Sequence, residues 1–554
     1  MVSRKQFDTL VRTAALCAVA IMSLATPGTG ASETVTTPKK FYADDPLLRE
    51  PAPRAVRKVA TRQVDDIYDF LENTYLTPRR EGKEAKRDPH PAANINTLGE
   101  VPDSPWYTNR HFYHRMSIEE LKRGPGNATP PSSNGTWRVI SAKSDGVMPG
   151  FVIEDIRKNR YVVKFDPPHY PELCSGPDVI GSKIFYALGY NTPENYVVHF
   201  RREDLQIGEG VMYRPPSGKK HPLTAKVLDE LLKDQPKGPD GTYRAMASKW
   251  ISGQVVGPFS YEGMRSDDPN DIVPHQDRRE LRGLRVFAAW LNHEDTRSVN
   301  SMDALVSENA VQYIKHYLID FGSILGSAGV GPKLAWHGHE YVFERKAAAV
   351  QAVTLGLYPP RWARSEYRNY PGVGMLDYES FDPVSWKPSY PNPAFELTDR
   401  EDAFWAAKQV AAFSDDEIRA LVKTGEYTDP RAADWIAECL IKRRDKIAET
   451  WLSTVLPLDK FRVNDGELGF DDLAAGRLGG MARLYRVQWA KSDPQGHFAA
   501  LPNAGGRQIP AFNGTEYLAA TISCGAGSGE ACPGPVTVYL RRAGSRIEVV
   551  GIDR

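Results

Sequence analysis

Two short stretches constrain this chain more than anything else in it. His293-Glu-Asp295-Thr-Arg297-Ser-Val-Asn300 has the spacing H-x-D-x-x-x-x-N, and Asp320-Phe321-Gly322 follows twenty residues later. The spacing sets Asp295 and Asn300 five residues apart on one tight loop, so one can face a nucleophile while the other faces a metal ion. Asp320 arrives from the next hairpin as a further anionic oxygen donor, the ligand type a hard divalent cation takes. Either stretch alone is a weak signal, since polar loops and short Gly-containing tripeptides arise by chance. Order and context join them. A helix reads into the first stretch, two short strands separate the pair, and the apolar strand Tyr317-Leu-Ile319 delivers Asp320.

Around this pair the chain reads as α+β. Val59 to Tyr75 carries Val64, Ile67, Tyr68 and Leu71 at helical spacing and is expected to be a helix. Pro78 to Ala93 is charged, contains proline and reads as a loop. Ser117-Ile-Glu-Glu120 is a capping box that starts a short helix ending near Gly124. Trp137 to Ala142, Phe151 to Ile156 and Tyr161 to Phe165 read as an antiparallel meander. A helix follows from Pro177 to Leu188, with Gly189 at its end. Strands are expected at Tyr196 to Phe200 and Tyr243 to Ile251, around an insertion with a helical stretch, Thr224 to Lys233.

From Asp277 the pattern turns helical, first in Arg278 to Leu291 and later in residues 400–455, for example Arg431 to Leu452. Short strands, Ala304 to Val306 and Tyr313 to Ile319, lie between. Beyond Leu456, β-branched and alternating runs between Gly- and Pro-rich turns indicate a small all-β, sandwich-like domain. At 554 residues the chain exceeds one ordinary core. The expected segments are 1–31, 32–125, 126–253, 254–455 and 456–554.

The half before the motifs carries its own candidates. Lys164 stands in Tyr161-Val-Val-Lys164-Phe165, an apolar strand where a lone ammonium needs an anion, unless it faces water from a sheet edge. Asp178, in the first turn of the next helix, could orient that ammonium, and Glu172 is the alternative. Asp178 equally suits a helix N-terminus as an acid against the dipole. Gly146 and Gly150 bracket the turn before the Lys164 strand, with Lys143 and Ser144 as added donors, but they do not form GxGxxG. Trp250-Ile-Ser252-Gly253 closes a strand just before the helical half. Asp303 reads as a second metal ligand or an ordinary loop acid.

Together, residues 137–455 resemble the protein-kinase-like superfamily. The missing GxGxxG, Arg297 where many protein kinases have Lys, and the lack of an APE-type segment after Gly322 point to the atypical HipA-like and phosphoinositide-kinase-like branches, in a bacterial exported member. The resemblance implies a two-lobed fold that uses ATP and Mg²⁺. It implies that Asp295, Arg297 and His293 are catalytic, with Asp295 as the base and Arg297 reaching the transferred phosphate. Asn300 and Asp320 would hold the metal, and Lys164 the nucleotide phosphates. Gly146, Gly150 and Lys143 would form the phosphate loop, and Ser252 would lie in the hinge that meets the adenine. It does not say whether the acceptor is a protein or a small molecule.

The remaining readings bound the setting. Seventy basic residues balance seventy acidic ones, which argues against a dedicated nucleic-acid binder. Arg4, Lys5 and Arg12 precede an uncharged apolar run from Thr13 to Ala25, and small residues lead to Ala31. That is the pattern of a cleaved export signal, and no later run is long enough to span a bilayer. A periplasmic or secreted location is therefore expected, with Cys524 and Cys532 free to bridge there. His337-Gly338-His339 is a poor metal site by itself. Two other functions fit the same residues: a kinase-fold scaffold without activity, and nucleotidyl transfer.

Overall fold

The first helix starts later than its apolar spacing predicts. The computed structural model describes residues 46–76, 90–142, 150–213, 220–476, 483–493, 497–525 and 533–554. Helix α1 spans Asp66–Leu71 and runs on as a π-helical turn over Glu72–Leu76. The Asp65 side chain accepts from the backbone N–H groups of Ile67 and Tyr68 and so fixes the start. No residue of α1 is buried; Ile67 is 71% and Tyr68 64% exposed, so the face that reads as core meets water. The chain before α1 is pinned in extended form, with Val56 N–H donating to Gln312 O and Arg62 N–H to Val256 O. Helix α2 (Ile118–Arg123) has the expected capping box of Ser117 and Glu120, and Gly124 ends it at φ 68°. Residues 77–89, most of the expected loop, fall outside the described residues.

The meander forms as β1 (Trp137–Ala142), β2 (Gly150–Glu154) and β3 (Arg160–Lys164), paired antiparallel in sequence order. Helix α3 (Ser175–Ala187), β4 (Asn195–Phe200), β5 (Leu205–Ile207), α4 (Ala225–Leu232) and β6 (Tyr243–Lys249) follow. The six strands form one sheet in the order β4-β6-β3-β2-β1-β5. Tyr161, Val163 and Phe165 fill this sheet's own core with Phe151, Phe200 and Leu228. Strand alternation therefore sends Val162 and Lys164 to the other face.

Helix α3 occupies the space between the sheet and the helical half. Its start is capped from outside: the Asp166 carboxylate accepts from the Cys174 and Ser175 N–H groups and from the Ser175 hydroxyl, each at 2.7 Å. Ile180, Ile184 and Phe185 join the largest core, not the sheet's. Gly181 permits this, because a Cβ there would stand 2.6 Å from Phe321 Cβ.

The largest core belongs to the helical half. Strand β7 (Gln254–Gly257) leads to α5 (Arg279–Leu291), and β8 (Ser301–Glu308) and β9 (Val311–Leu318) form a hairpin that β7 extends. Further along stand α6 (Arg400–Ala411), α7 (Asp415–Lys423) and α8 (Pro430–Trp451). Trp290 of α5 and Trp405 of α6 are fully enclosed, and Val101, Trp106, Tyr107 and Leu121 pack into the same cluster. None of the helices among the described residues is long and apolar enough to cross a membrane.

After α8 the chain forms a hairpin, β10 (Leu458–Asn464) and β11 (Glu467–Asp472). It then forms β12 (Tyr485–Ser492), β13 (Phe498–Gly505), β14 (Tyr517–Cys524), β15 (Val536–Ala543) and β16 (Arg546–Asp553). Where the sequence reads as a sandwich, these last five strands make one antiparallel sheet, ordered β13-β12-β14-β15-β16, that shares a core with the hairpin. Cys524 is disulfide-bonded. Cys532, its expected partner, lies outside the described residues.

One buried ammonium ties three parts of the chain together. Lys408 of α6 donates to the Glu100 carboxylate, to Asp459 of β10 at 2.7 Å and to the Tyr113 hydroxyl at 3.1 Å. Removing one member of a buried charge cluster leaves the others uncompensated, at about 3 kcal/mol or more. Lys408→Met is therefore expected to lower the thermal midpoint by several degrees in calorimetry, whereas the exposed Lys423→Met should leave it unchanged.

Candidate active site

The site begins where β3 ends. The side chain of Lys164 is 13% exposed, and its Nζ lies 2.7 Å from Asp320 Oδ1 and 3.7 Å from Asp178 Oδ2. Burial lowers the Lys164 pKa, but the Asp320 and Asp178 carboxylates outweigh it, and the net shift is upward. Asp178 does more than face a helix dipole. Its Oδ1 accepts from Asn195 Nδ2 at 2.8 Å and from Phe321 N–H at 3.2 Å. One carboxylate thus positions both Lys164 and the backbone of Asp320-Phe321-Gly322. Asp320 takes the left-handed conformation at φ 62°. Glu172 goes elsewhere: its oxygens accept from Thr428 N–H at 3.1 Å.

The Asp295 loop is closed by its own side chains. Helix α5 ends at Asn292 in the left-handed conformation, which turns the chain directly into His293. Thr296 Oγ1 donates to His293 O at 2.6 Å. Asn300 Nδ2 donates to Asp295 O at 2.7 Å and to Asp295 Oδ2 at 2.9 Å. The two motifs meet directly, with Ile319 N–H donating to Asn300 O at 3.0 Å and Ser323 Oγ to Asp295 Oδ2 at 3.4 Å. Arg297 Nε lies 2.5 Å from Asp295 Oδ1, and its Nη1 lies 2.7 Å from both Asp66 oxygens.

His293 does not face the site. Its ring is buried against the stacked pair of Phe185 and Phe321, with centroids 5.8 and 6.1 Å away. Burial pushes its pKa down to about 4, against the pull of Asp295. It anchors the loop as a neutral packing group. Asp303 is likewise structural, being buried against Arg265 at 3.2 Å and His316 at 2.7 Å. His337 lies 2.6 Å from Glu294, and among the described residues no group of three His, Cys, Asp or Glu side chains could by itself hold a metal. Mg²⁺ nonetheless suits Asp320 and Asn300, because it usually keeps several waters and adds one or two protein ligands and phosphate oxygens.

The other expected residues divide. Gly150 opens β2 directly opposite Lys164 in the strand register. Lys143, Ser144 and Gly146 lie outside the described residues. Ser252 is exposed beyond Lys249, which pairs with Tyr161, so it sits past the far end of β3 from Lys164. Three residues escape the sequence reading. Glu294 is buried and held by Lys333 at 3.1 Å, and although burial raises its pKa, Lys333 and His337 bring it down to about 2. Lys333 Nζ also donates to Ser323 O at 2.6 Å. Asp66 reaches Arg297 from α1. Only the motif's own Glu294 could have been flagged, since nothing in the sequence pairs it with Lys333.

No family model matches this chain. No curated protein matches it. Among solved structures, a Golgi casein kinase shows a likeness at 9% identity and a TM-score of 0.28, over 73% of this chain and 97% of that one. The same kinase with Mn/ADP bound gives 8% identity and a TM-score of 0.25, over 72% and 96%. A likeness this remote fixes neither fold nor chemistry, and both rest on the contacts above.

The buried imidazole has a pH signature. A His whose pKa falls from 6.5 to about 4 on folding stays neutral in the native state while the unfolded chain takes up a proton. Stability from this source is present above pH 6.5 and is lost as pH falls toward 4. His293→Phe keeps a ring against Phe185 and Phe321 but cannot titrate. Thermal midpoints measured from pH 7.5 down should fall less steeply for the variant than for the wild type, and parallel curves would rule out a neutral His293.

Proposed function

We propose that this chain is an ATP-dependent phosphotransferase of the protein-kinase-like kind. Its β1–β6 sheet would form one lobe and its helical half the other. The observation that carries the reading is the meeting of Lys164, Asp178 and Asp320, whose ammonium and carboxylates come together from three separate elements. Asp295 and Asn300 stand beside them, joined at 2.9 Å. A scaffold without activity has no need of all five polar groups in one region. Phosphoryl transfer does need them, because it depends on positioning and charge and little on covalent help.

Each side chain then has a task. Lys164 holds the nucleotide phosphates, and Asp178 keeps Lys164 in place. Asp320 and Asn300 supply the oxygens for Mg²⁺, which neutralises charge on the phosphates when bound. Asp295 receives the acceptor hydroxyl proton as that oxygen bonds the γ-phosphorus and the bond to ADP breaks. Arg297 brings positive charge to the transferred group. The acceptor would be a protein or small molecule outside the cytoplasm. The N-terminal sequence supports export, and the disulfide at Cys524 supports an oxidising compartment. Balanced charge supports no role for nucleic acid.

ATP labelled separately at the γ and α positions tests this in the presence of Mg²⁺. Transfer of γ-label is expected, with a loss of about 100-fold or more in Asp295→Asn, Asp320→Ala and Lys164→Ala. Transfer of α-label would instead identify a nucleotidyl transferase. A folded wild type that binds no nucleotide would sink both enzyme readings and leave the scaffold.

A further inference from the structure

We propose that helix α1 covers the acceptor side of this site, with Asp66 standing on Arg297 where an incoming anion would stand. The inference rests on the phosphotransfer reading. Arg297 is the cation expected to meet the transferred phosphate, yet both Asp66 oxygens lie 2.7 Å from its Nη1. Its Nε lies 2.5 Å from Asp295 Oδ1, so one guanidinium is shared between the proposed base and a carboxylate far earlier in the chain. Guanidinium groups recognise carboxylate and phosphate oxygens by the same geometry. The phosphate-facing cation is thus occupied from within the molecule.

A second acid holds the same helix down. The Asp69 carboxylate accepts from the Tyr390 hydroxyl at 2.7 Å and from Ser298 Oγ at 3.5 Å. Ser298 belongs to the Asp295–Asn300 loop itself. Phe70 packs edge-on against Tyr390 with centroids 5.6 Å apart. The extended chain before α1, anchored at Val56 and Arg62, keeps the helix beside the loop when these contacts break.

The contact is built to be displaced. Helix α1 has six residues and buries none of them. Isolated helices that short are marginal, so polar contacts to the Asp295–Asn300 loop and Tyr390, with the ring contacts of Phe70 on Tyr390 and of Tyr75 on Phe343, hold it. Those contacts are partly open to water, with 48% of the Asp66 side chain and 27% of Arg297 exposed. Segments with few buried contacts open at low free-energy cost. Docked, α1 spends the charge of Arg297 and covers Asp295; lifted by an acceptor or partner, it returns both. Asp66 is therefore a positioning residue that restrains transfer.

Full-length protein with Mg²⁺ and ATP tests this through three readouts: hydrogen exchange over residues 66–71, nucleotide affinity, and the rate of γ-phosphate release to water. Asp66→Asn should speed exchange, leave affinity unchanged and raise the rate about fivefold, the scale of a modest coupling. Asp66→Glu should keep the wild-type rate, and adding Arg297→Ala to Asp66→Asn should abolish the gain. Faster exchange with an unchanged or lower rate would overturn the restraint while leaving phosphotransfer intact, and so would exchange that does not respond to Asp66→Asn. Absence of nucleotide binding in the wild type would overturn phosphotransfer and the restraint together.

Discussion

The meeting of the largely enclosed Lys164 with two carboxylates, Asp178 buried and Asp320 partly open, is the contact on which the arrangement depends. An ammonium inside a protein is stable only with an anion beside it, and a carboxylate inside needs donors. Asp178 and Asp320 meet the first need, while Asn195 and the Phe321 N–H help meet the second. The consequence is architectural. Lys164 belongs to the sheet, Asp178 to α3, and Asp320 to the chain leaving the β8–β9 hairpin. Satisfying their charges locks the sheet, its helix and the helical half to one another.

Packing supports the same junction. Gly181 lets α3 lie against Phe321, and Phe185 stacks on Phe321 with centroids 5.1 Å apart. His293 packs against both rings, with centroids 5.8 Å from Phe185 and 6.1 Å from Phe321. The aromatic residue between Asp320 and Gly322 is thus clamped by α3 and by the Asp295 loop at once. It transmits the position of one motif to the other. The charge balance points the same way: Lys164 and Arg297 face Asp66, Asp178, Asp295 and Asp320, leaving two formal negative charges. Such an excess is the field a divalent cation neutralises.

Much of this was legible in the sequence because it rests on local signals. The meander, α3, α5 and the hairpin follow from alternation, capping and helical spacing, and the motif spacing located Asp295, Asn300 and Asp320. Lys164 stood out because an ammonium is conspicuous in an apolar strand. What was not legible depends on long-range pairing. The periodicity of Val64, Ile67, Tyr68 and Leu71 reads as a core face, but Ile67 and Tyr68 stand exposed with Val64 and Leu71 only half-buried, and acids on the same helix decide its place instead. His293 reads as reactive from its motif, whereas its surroundings are rings. Lys333 sits in the Gly- and Pro-containing run Gly329-Val-Gly-Pro-Lys333-Leu-Ala and Asp66 in a mixed one, and only the fold reveals what they meet.

The two sides of the site are built from different materials, and that difference bears on what evolves. On the proposed nucleotide side, Lys164 and Asp178 are largely enclosed and held by elements that meet at the core, so changing one disturbs the other. On the proposed acceptor side, Arg297 is partly exposed and meets Asp66 from a helix with no buried residue. On that proposal, a substitution in the helix would alter which group approaches Asp295 at little cost to the core. If the proposed phosphotransfer holds, its chemistry rests on the interior, while the choice of acceptor falls to a surface segment that tolerates change. That asymmetry is why motif spacing can suggest a reaction class from sequence alone and stay silent on its target.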